Sequence, residues 1–251
     1  MNPKKFSEAM SEIDSKYVDE AIRYKRTGKK RSWIRWAASA ACFALVAVVA
    51  ASVMNQAGDR IALSDNSSKV TARYTDKPVS MQSSCLLLDL TEEELFTKDD
   101  TAIFKGKIAE LNNIELNFKG DKEYCAIAEI EVEKVYRGPC NAGDTVSVLL
   151  PCPIVEEEGY WVEDTDIVAS MRVGMTGIFM PMPYNDTSIW GQNGATLALK
   201  DIADYGFGDG MRYAFLETSE GLLFSRDAYE SISDAATLDE IESYVLDMIH
   251  R

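Results

Sequence analysis

Few residues in this chain are of types that carry acid–base or nucleophilic chemistry. The one histidine is His250, next to last of 251 residues. Mechanisms that need an imidazole base, Ser-His-Asp and Cys-His included, are therefore disfavoured. Five cysteines are present: Cys42, Cys85, Cys125, Cys140 and Cys152. Cys42 lies in an apolar run, and the other four form no C-x-x-C pair, which argues against a zinc site. Two disulfides with three connectivities stay open for those four. Buried thiols packing as small hydrophobes are favoured, because the chain is long enough to fold without staples. Residues 206–210 (GFGDG) have the glycine density of a phosphate loop. They lack its Gly-Lys-Ser/Thr ending, so a flexible turn is expected. Glu156, Glu157, Glu158, Glu163, Asp164 and Asp166 offer carboxylates to a hard cation such as Ca²⁺, without EF-hand spacing. A solvated loop is the expectation there. No carboxylate pair stands out for glycoside hydrolysis. No catalytic residue, cofactor or metal ligand is singled out, and no enzyme activity is expected.

The charge pattern divides the chain. Residues 1–35 hold ten Lys/Arg against five acids, a net +5, which leaves −20 of the formal −15 to the remainder. Parts so different are built for different surroundings. The acidic part lacks the cationic footprint that nucleic acid requires.

Between these parts, residues 36–54 (WAASAACFALVAVVAASVM) contain no charge and no proline. As a helix at about 1.5 Å per residue they span about 28 Å, close to a bilayer's hydrocarbon core. Arg23, Lys25, Arg26, Lys29, Lys30, Arg31 and Arg35 crowd the N-terminal flank, against Arg60 alone on the other side up to residue 68. The positive-inside rule then predicts a cytoplasmic N-terminus and an extracytoplasmic C-terminal part. Trp33 and Trp36 fall where an interfacial aromatic belt anchors a span. The rival reading is a cleavable signal peptide, disfavoured because 35 residues precede the apolar run.

Residues 3–26 predict an amphipathic helix, with Phe6, Met10, Ile13 and Tyr17 along its apolar stripe. Such a stripe needs a partner: the membrane surface, a second copy, or a cytoplasmic protein. The stretch FSEAMSEIDSKYVDEAIRYK, the basic segment after it and WIRWAASAACFALV together resemble the N-terminal part of clostridial single-pass membrane proteins that look like anti-sigma factors. The resemblance covers residues 6–54. It implies that Phe6, Met10, Ile13 and Tyr17 contact an extracytoplasmic-function sigma factor. The His and Cys pattern of zinc-binding anti-sigma domains is absent from residues 1–35.

Residues 55–88 are polar and aperiodic and read as a linker. Thr91-Glu92-Glu93-Glu94 and Thr237-Leu238-Asp239-Glu240 match capping boxes, predicting helices over 91–98 and 238–249. Strands are expected at 102–111, 123–136, 145–150 and 176–182, with a hairpin of 212–217 and 222–226. In the clearest of them Ala126, Ala128, Ile130 and Val132 share one face, and Glu129, Glu131 and Glu133 the other. Lys119-Gly120-Asp121 reads as the turn before it.

The expected fold class is α+β. An N-terminal amphipathic helix and one transmembrane helix precede a mainly antiparallel small β-barrel with a C-terminal helix. Residues 100–182, with Gly106, Gly138, Gly143 and Gly174, are similar to the netrin-like oligonucleotide/oligosaccharide-binding barrel in strand pattern. The leading cysteine of that family's protease inhibitors has no counterpart, so inhibition is not implied. The expected domains are 1–35 cytoplasmic, 36–54 membrane-spanning, 55–88 linker and 89–251 extracytoplasmic. The resulting expectation is a membrane-anchored regulatory or sensing protein with an outer domain for an unidentified ligand. The alternative is a surface-anchored binding module for a peptide, glycan or cation, with no signalling role.

Overall fold

Sixteen residues of β-propensity, Ile103–Phe118, run antiparallel to seventeen more, Asp121–Arg137, and this hairpin organises everything around it. The structure is a computed structural model that describes residues 59–76, 78, 87–98, 100–155 and 164–250. All of them belong to one compact unit, residues 55–251. The expected amphipathic helix with Phe6, Met10, Ile13 and Tyr17 lies outside the described residues. So do the expected span with Trp33 and Trp36, Cys42, Cys85, and the acids of 156–163. Among the described residues no helix is long and apolar enough to cross a membrane.

The strands are β1 (Arg60–Ile61), β2 (Val70–Tyr74), β3 (Ile103–Phe118), β4 (Asp121–Arg137), β5 (Thr145–Leu150), β6 (Thr176–Phe179), β7 (Met182–Pro183), β8 (Ile189–Gln192), β9 (Ala195–Ala198), β10 (Tyr205–Gly206), β11 (Ala214–Thr218) and β12 (Gly221–Leu223). The helices are α1 (Glu92–Thr97), α2 (Asp166–Ala169) and α3 (Leu238–Ile249). One sheet runs β12-β11-β6-β3-β4-β5-β10-β7, with β2 and then β1 added beside β3; β8 and β9 form a separate hairpin. Pairing is antiparallel throughout, apart from the parallel contact of β10 with β5. The sheet curls into a half-barrel. Its path ends at β12 and β7, which do not pair, so the small closed barrel that was expected is observed open. With three and two residues, these end strands present few backbone groups to each other.

The length of β3 gives the fold two cores. Its first half pairs with β6 (Phe104↔Phe179 to Lys107↔Thr176), its second half with β2 (Val70↔Phe118 to Tyr74↔Ile114). The larger core holds Phe104, Ile108, Ala126, Ala128, Ile130, Val132, Phe179, Phe215 and Tyr229. The smaller holds Ala72, Ile114, Leu116, Phe118, Cys125, Ile127 and Leu197. Residues 125–128 of β4 are therefore buried on both faces, which alternation does not reveal. Two turns use left-handed residue pairs that match strand twist: Lys119-Gly120 (φ 56° and 108°) and Asn193-Gly194 (φ 48° and 65°).

Both capping boxes form, and α3 buries Leu238, Ile241, Val245 and Met248. The linker expectation for 55–88 is corrected over its first half. Val70–Tyr74 joins the sheet and buries Ala72, because five residues of VTARY suffice once β3 supplies a ladder. Residues 206–210 are likewise not a flexible turn. Gly206, Phe207, Asp209 and Gly210 are buried, and Gly206 pairs with Leu149.

Candidate functional site: a charged cleft on β2, β3 and β4

The face of β2–β3–β4 turned away from the smaller core carries two cross-strand rows of polar residues. Register sets Thr71 opposite Asn117 and Asn117 opposite Lys122; two residues along, it sets Arg73 opposite Glu115 and Glu115 opposite Tyr124. Period-two alternation puts all six on one face, while Val70, Ala72, Leu116 and Phe118 turn to the core.

Glu115 is the centre. Its side chain is 7% exposed, and Oε2 accepts three bonds: from Arg73 Nη2 at 2.9 Å, Lys122 Nζ at 3.0 Å and Tyr124 Oη at 2.9 Å. Burial alone would raise its pKa. The bonds from Arg73, Lys122 and Tyr124 outweigh burial and bring the carboxyl down to about 2. The same bond raises Arg73, and burial raises Tyr124. Glu115 is thus a fixed anion and not a proton-transfer group near neutral pH. The two cations stand above it, 54% and 45% exposed. They open on a cleft of about 730 Å³ that Asp59, Arg60, Tyr74 and Asp76 also line.

A pH dependence follows. Glu115 titrates in the folded chain at about 2, below the ordinary 4.5. Its stabilisation is complete above about pH 4.5 and is lost as pH falls towards 2. With half-exposed partners the loss is about 1 to 2 kcal/mol. Urea melts of wild type and Glu115→Gln between pH 6 and 2 read it: the stability gap narrows on acidification. A gap independent of pH means that the bonds to Glu115 hold no net energy.

A second cleft, of about 460 Å³, is lined by Cys140, Asp144, Tyr184, Lys200, Asp204 and Tyr205, among others. Burial pushes the thiols away from reactivity: Cys140 up, Cys125 up to about 12 and Cys152 up to about 11. All three are free and buried, as the thiol-packing reading expected. Asp164 and Asp166 lie apart from both clefts, and no group of three or more His, Cys, Asp or Glu is arranged for a metal among the described residues.

Sequence reasoning missed the whole cluster of Arg73, Glu115, Lys122 and Tyr124. Its signal was present as alternating polar residues in VTARY, IELNF and DKEYC, but it needed β2 to be recognised as a strand. Comparison with protein-family models, with curated proteins and with solved structures yields no match to this chain.

Proposed function

We propose that the chain is a membrane-anchored sensing protein. Its β-rich domain binds a ligand outside the membrane, and its N-terminal segment contacts a cytoplasmic protein, with an extracytoplasmic-function sigma factor as the expected partner. The observation that carries this reading is the order along the chain. An apolar stripe (Phe6, Met10, Ile13, Tyr17) precedes a cationic cluster, then an uncharged run flanked by Trp33 and Trp36, then a folded domain with a ready-made charged cleft. The netrin-like and anti-sigma resemblances agree with it.

The test is affinity capture with the detergent-solubilised full chain. Wild type is expected to retain a sigma factor, and Phe6→Ala/Met10→Ala/Tyr17→Ala to lose it. Recovery of lipid alone by the wild type would sink the proposal. The cleft itself suits the second reading, a surface-anchored binding module, because Arg73, Glu115 and Lys122 all belong to the folded β-rich unit. Under that reading, deleting residues 2–27 leaves function intact.

A further inference from the structure

Beneath the cleft, one carboxylate oxygen holds two cations that project into solvent. A buried anion under exposed cations fixes their positions without filling their outer donors. Among the described residues the Arg73 guanidinium bonds to protein through Nη2 alone. Its planar fork keeps further N–H donors for an acceptor above it. Lys122 spends one donor on Glu115 and has three. The neighbouring row adds neutral donors. Thr71 contributes a hydroxyl. Asn117 Oδ1 already accepts from Gly120 N at 2.7 Å, which leaves its amide nitrogen for a ligand.

Charge bookkeeping narrows the ligand. The lining holds three cations, Arg60, Arg73 and Lys122, and three carboxylates, Asp59, Asp76 and Glu115. Asp59 and Asp76 line the cleft on the β1–β2 side, and Asp59 is near enough to act on Arg73, whereas Glu115 meets Lys122 across β3–β4. A monoanion gains from the paired cations at modest cost against these aspartates. A dianion doubles that attraction and that repulsion alike, and its second charge also works against a domain that is already strongly acidic.

We propose that the β2–β3–β4 cleft is a carboxylate-binding site, in which Arg73 and Lys122, held from below by Glu115, clamp a singly charged carboxylate of an extracytoplasmic ligand. Arg73 makes the planar contact. Lys122 adds a point charge. Thr71 and Asn117 hydrogen-bond along the ligand's flank. This names the ligand class for the domain read above as a binding module, and it stands apart from the choice of cytoplasmic partner.

The experiment is a titration of the full chain in detergent micelles with sodium acetate at pH 7, at constant ionic strength, followed through the Arg Nε–Hε resonances. Sodium phosphate is titrated in parallel. Saturable acetate binding that moves the Arg73 resonance is expected, with phosphate weaker. Lys122→Met is expected to weaken acetate by about tenfold or more. Arg73→Met/Glu115→Gln, which removes both charges and leaves no buried ion stranded, is expected to abolish binding with the fold retained by circular dichroism. Absence of saturation in the wild type overturns the proposal. So does binding unchanged in the double variant, or phosphate preferred to acetate. Failure here with successful sigma-factor capture removes the ligand assignment alone. Success here with failed capture removes the regulatory reading alone.

Discussion

Asp209→Ala is expected to cost about 3 to 5 kcal/mol of folding stability, because it breaks the most buried ion pair among the described residues. The Asp209 and Arg212 side chains are 5% and 11% exposed. Oδ1 of Asp209 accepts from the backbone N–H groups of Met211 and Arg212, both at 2.8 Å. Oδ2 accepts from Arg212 Nε at 2.9 Å and Nη2 at 2.8 Å, a two-pronged contact. Arg212 Nη1 then donates to the Leu88 carbonyl at 2.7 Å, fastening the chain ahead of α1. Removing the carboxylate strands a guanidinium and two N–H donors with little water to replace it. The readout is the urea midpoint at unchanged m-value. Asp209→Asn, which keeps the shape and some acceptor capacity, is expected to fall between. A loss under about 1 kcal/mol for Asp209→Ala means that the loop re-solvates freely and is not the anchor described.

Tyr229→Ala is expected to be as damaging, at about 3 to 5 kcal/mol. Tyr229 is fully buried; its ring lies 4.9 Å from Phe215, 6.1 Å from Tyr244 and 6.4 Å from Phe224 between centroids. Its hydroxyl donates to the Arg212 carbonyl at 2.7 Å. Tyr229→Phe keeps the ring and loses that bond, and is expected to cost about 1 kcal/mol. Burial raises the Tyr229 pKa far above the usual range, so the hydroxyl stays a donor at every practical pH. Because Arg212 answers to both Asp209 and Tyr229, the double variant Asp209→Ala/Tyr229→Phe is expected to depart from additivity by at least about 0.5 kcal/mol. A double-mutant cycle by urea denaturation measures this. Additive losses would show that the two contacts are independent.

This anchor lies in the segment whose composition suggested a flexible turn. Three glycines within five residues read locally as freedom. In the fold the same glycines permit close approach: a Cβ on Gly210 would stand 2.6 Å from Thr165 Cα, and one on Gly206 would meet the Tyr184 ring. Small size served packing here, and nothing in GFGDG states which neighbour comes close.

Elements governed by local chemistry were legible. Thr91 and Thr237 cap helices where reciprocal bonds with Glu94 and Glu240 required them. Helix α3 runs Leu238–Ile249 as its stripe specified, and β5 is Thr145–Leu150 as read from its β-branched run. Glu131 and Glu133 face solvent opposite buried Ile130 and Val132, as alternation demanded. Elements that exist only through a partner were not. Strand β2 is five residues with one buried side chain, and it is a strand because β3 extends beyond Leu111 to receive it. Asn193-Gly194 is a local turn signal, and it closes the β8–β9 hairpin.

By itself the sequence determined the charge division of the chain, the capped helices, strand β4 with its inward and outward faces, and a β-rich C-terminal part. Each follows from interactions among residues a few positions apart. The tertiary structure alone decided that the sheet curls without closing, that β3 serves two cores, and that Arg73, Glu115, Lys122 and Tyr124 meet. Arg73 and Glu115 are 42 positions apart, and no local pattern encodes which oxygen a distant cation will reach. That depends on cross-strand register, which is settled only when both faces of the hairpin find their cores.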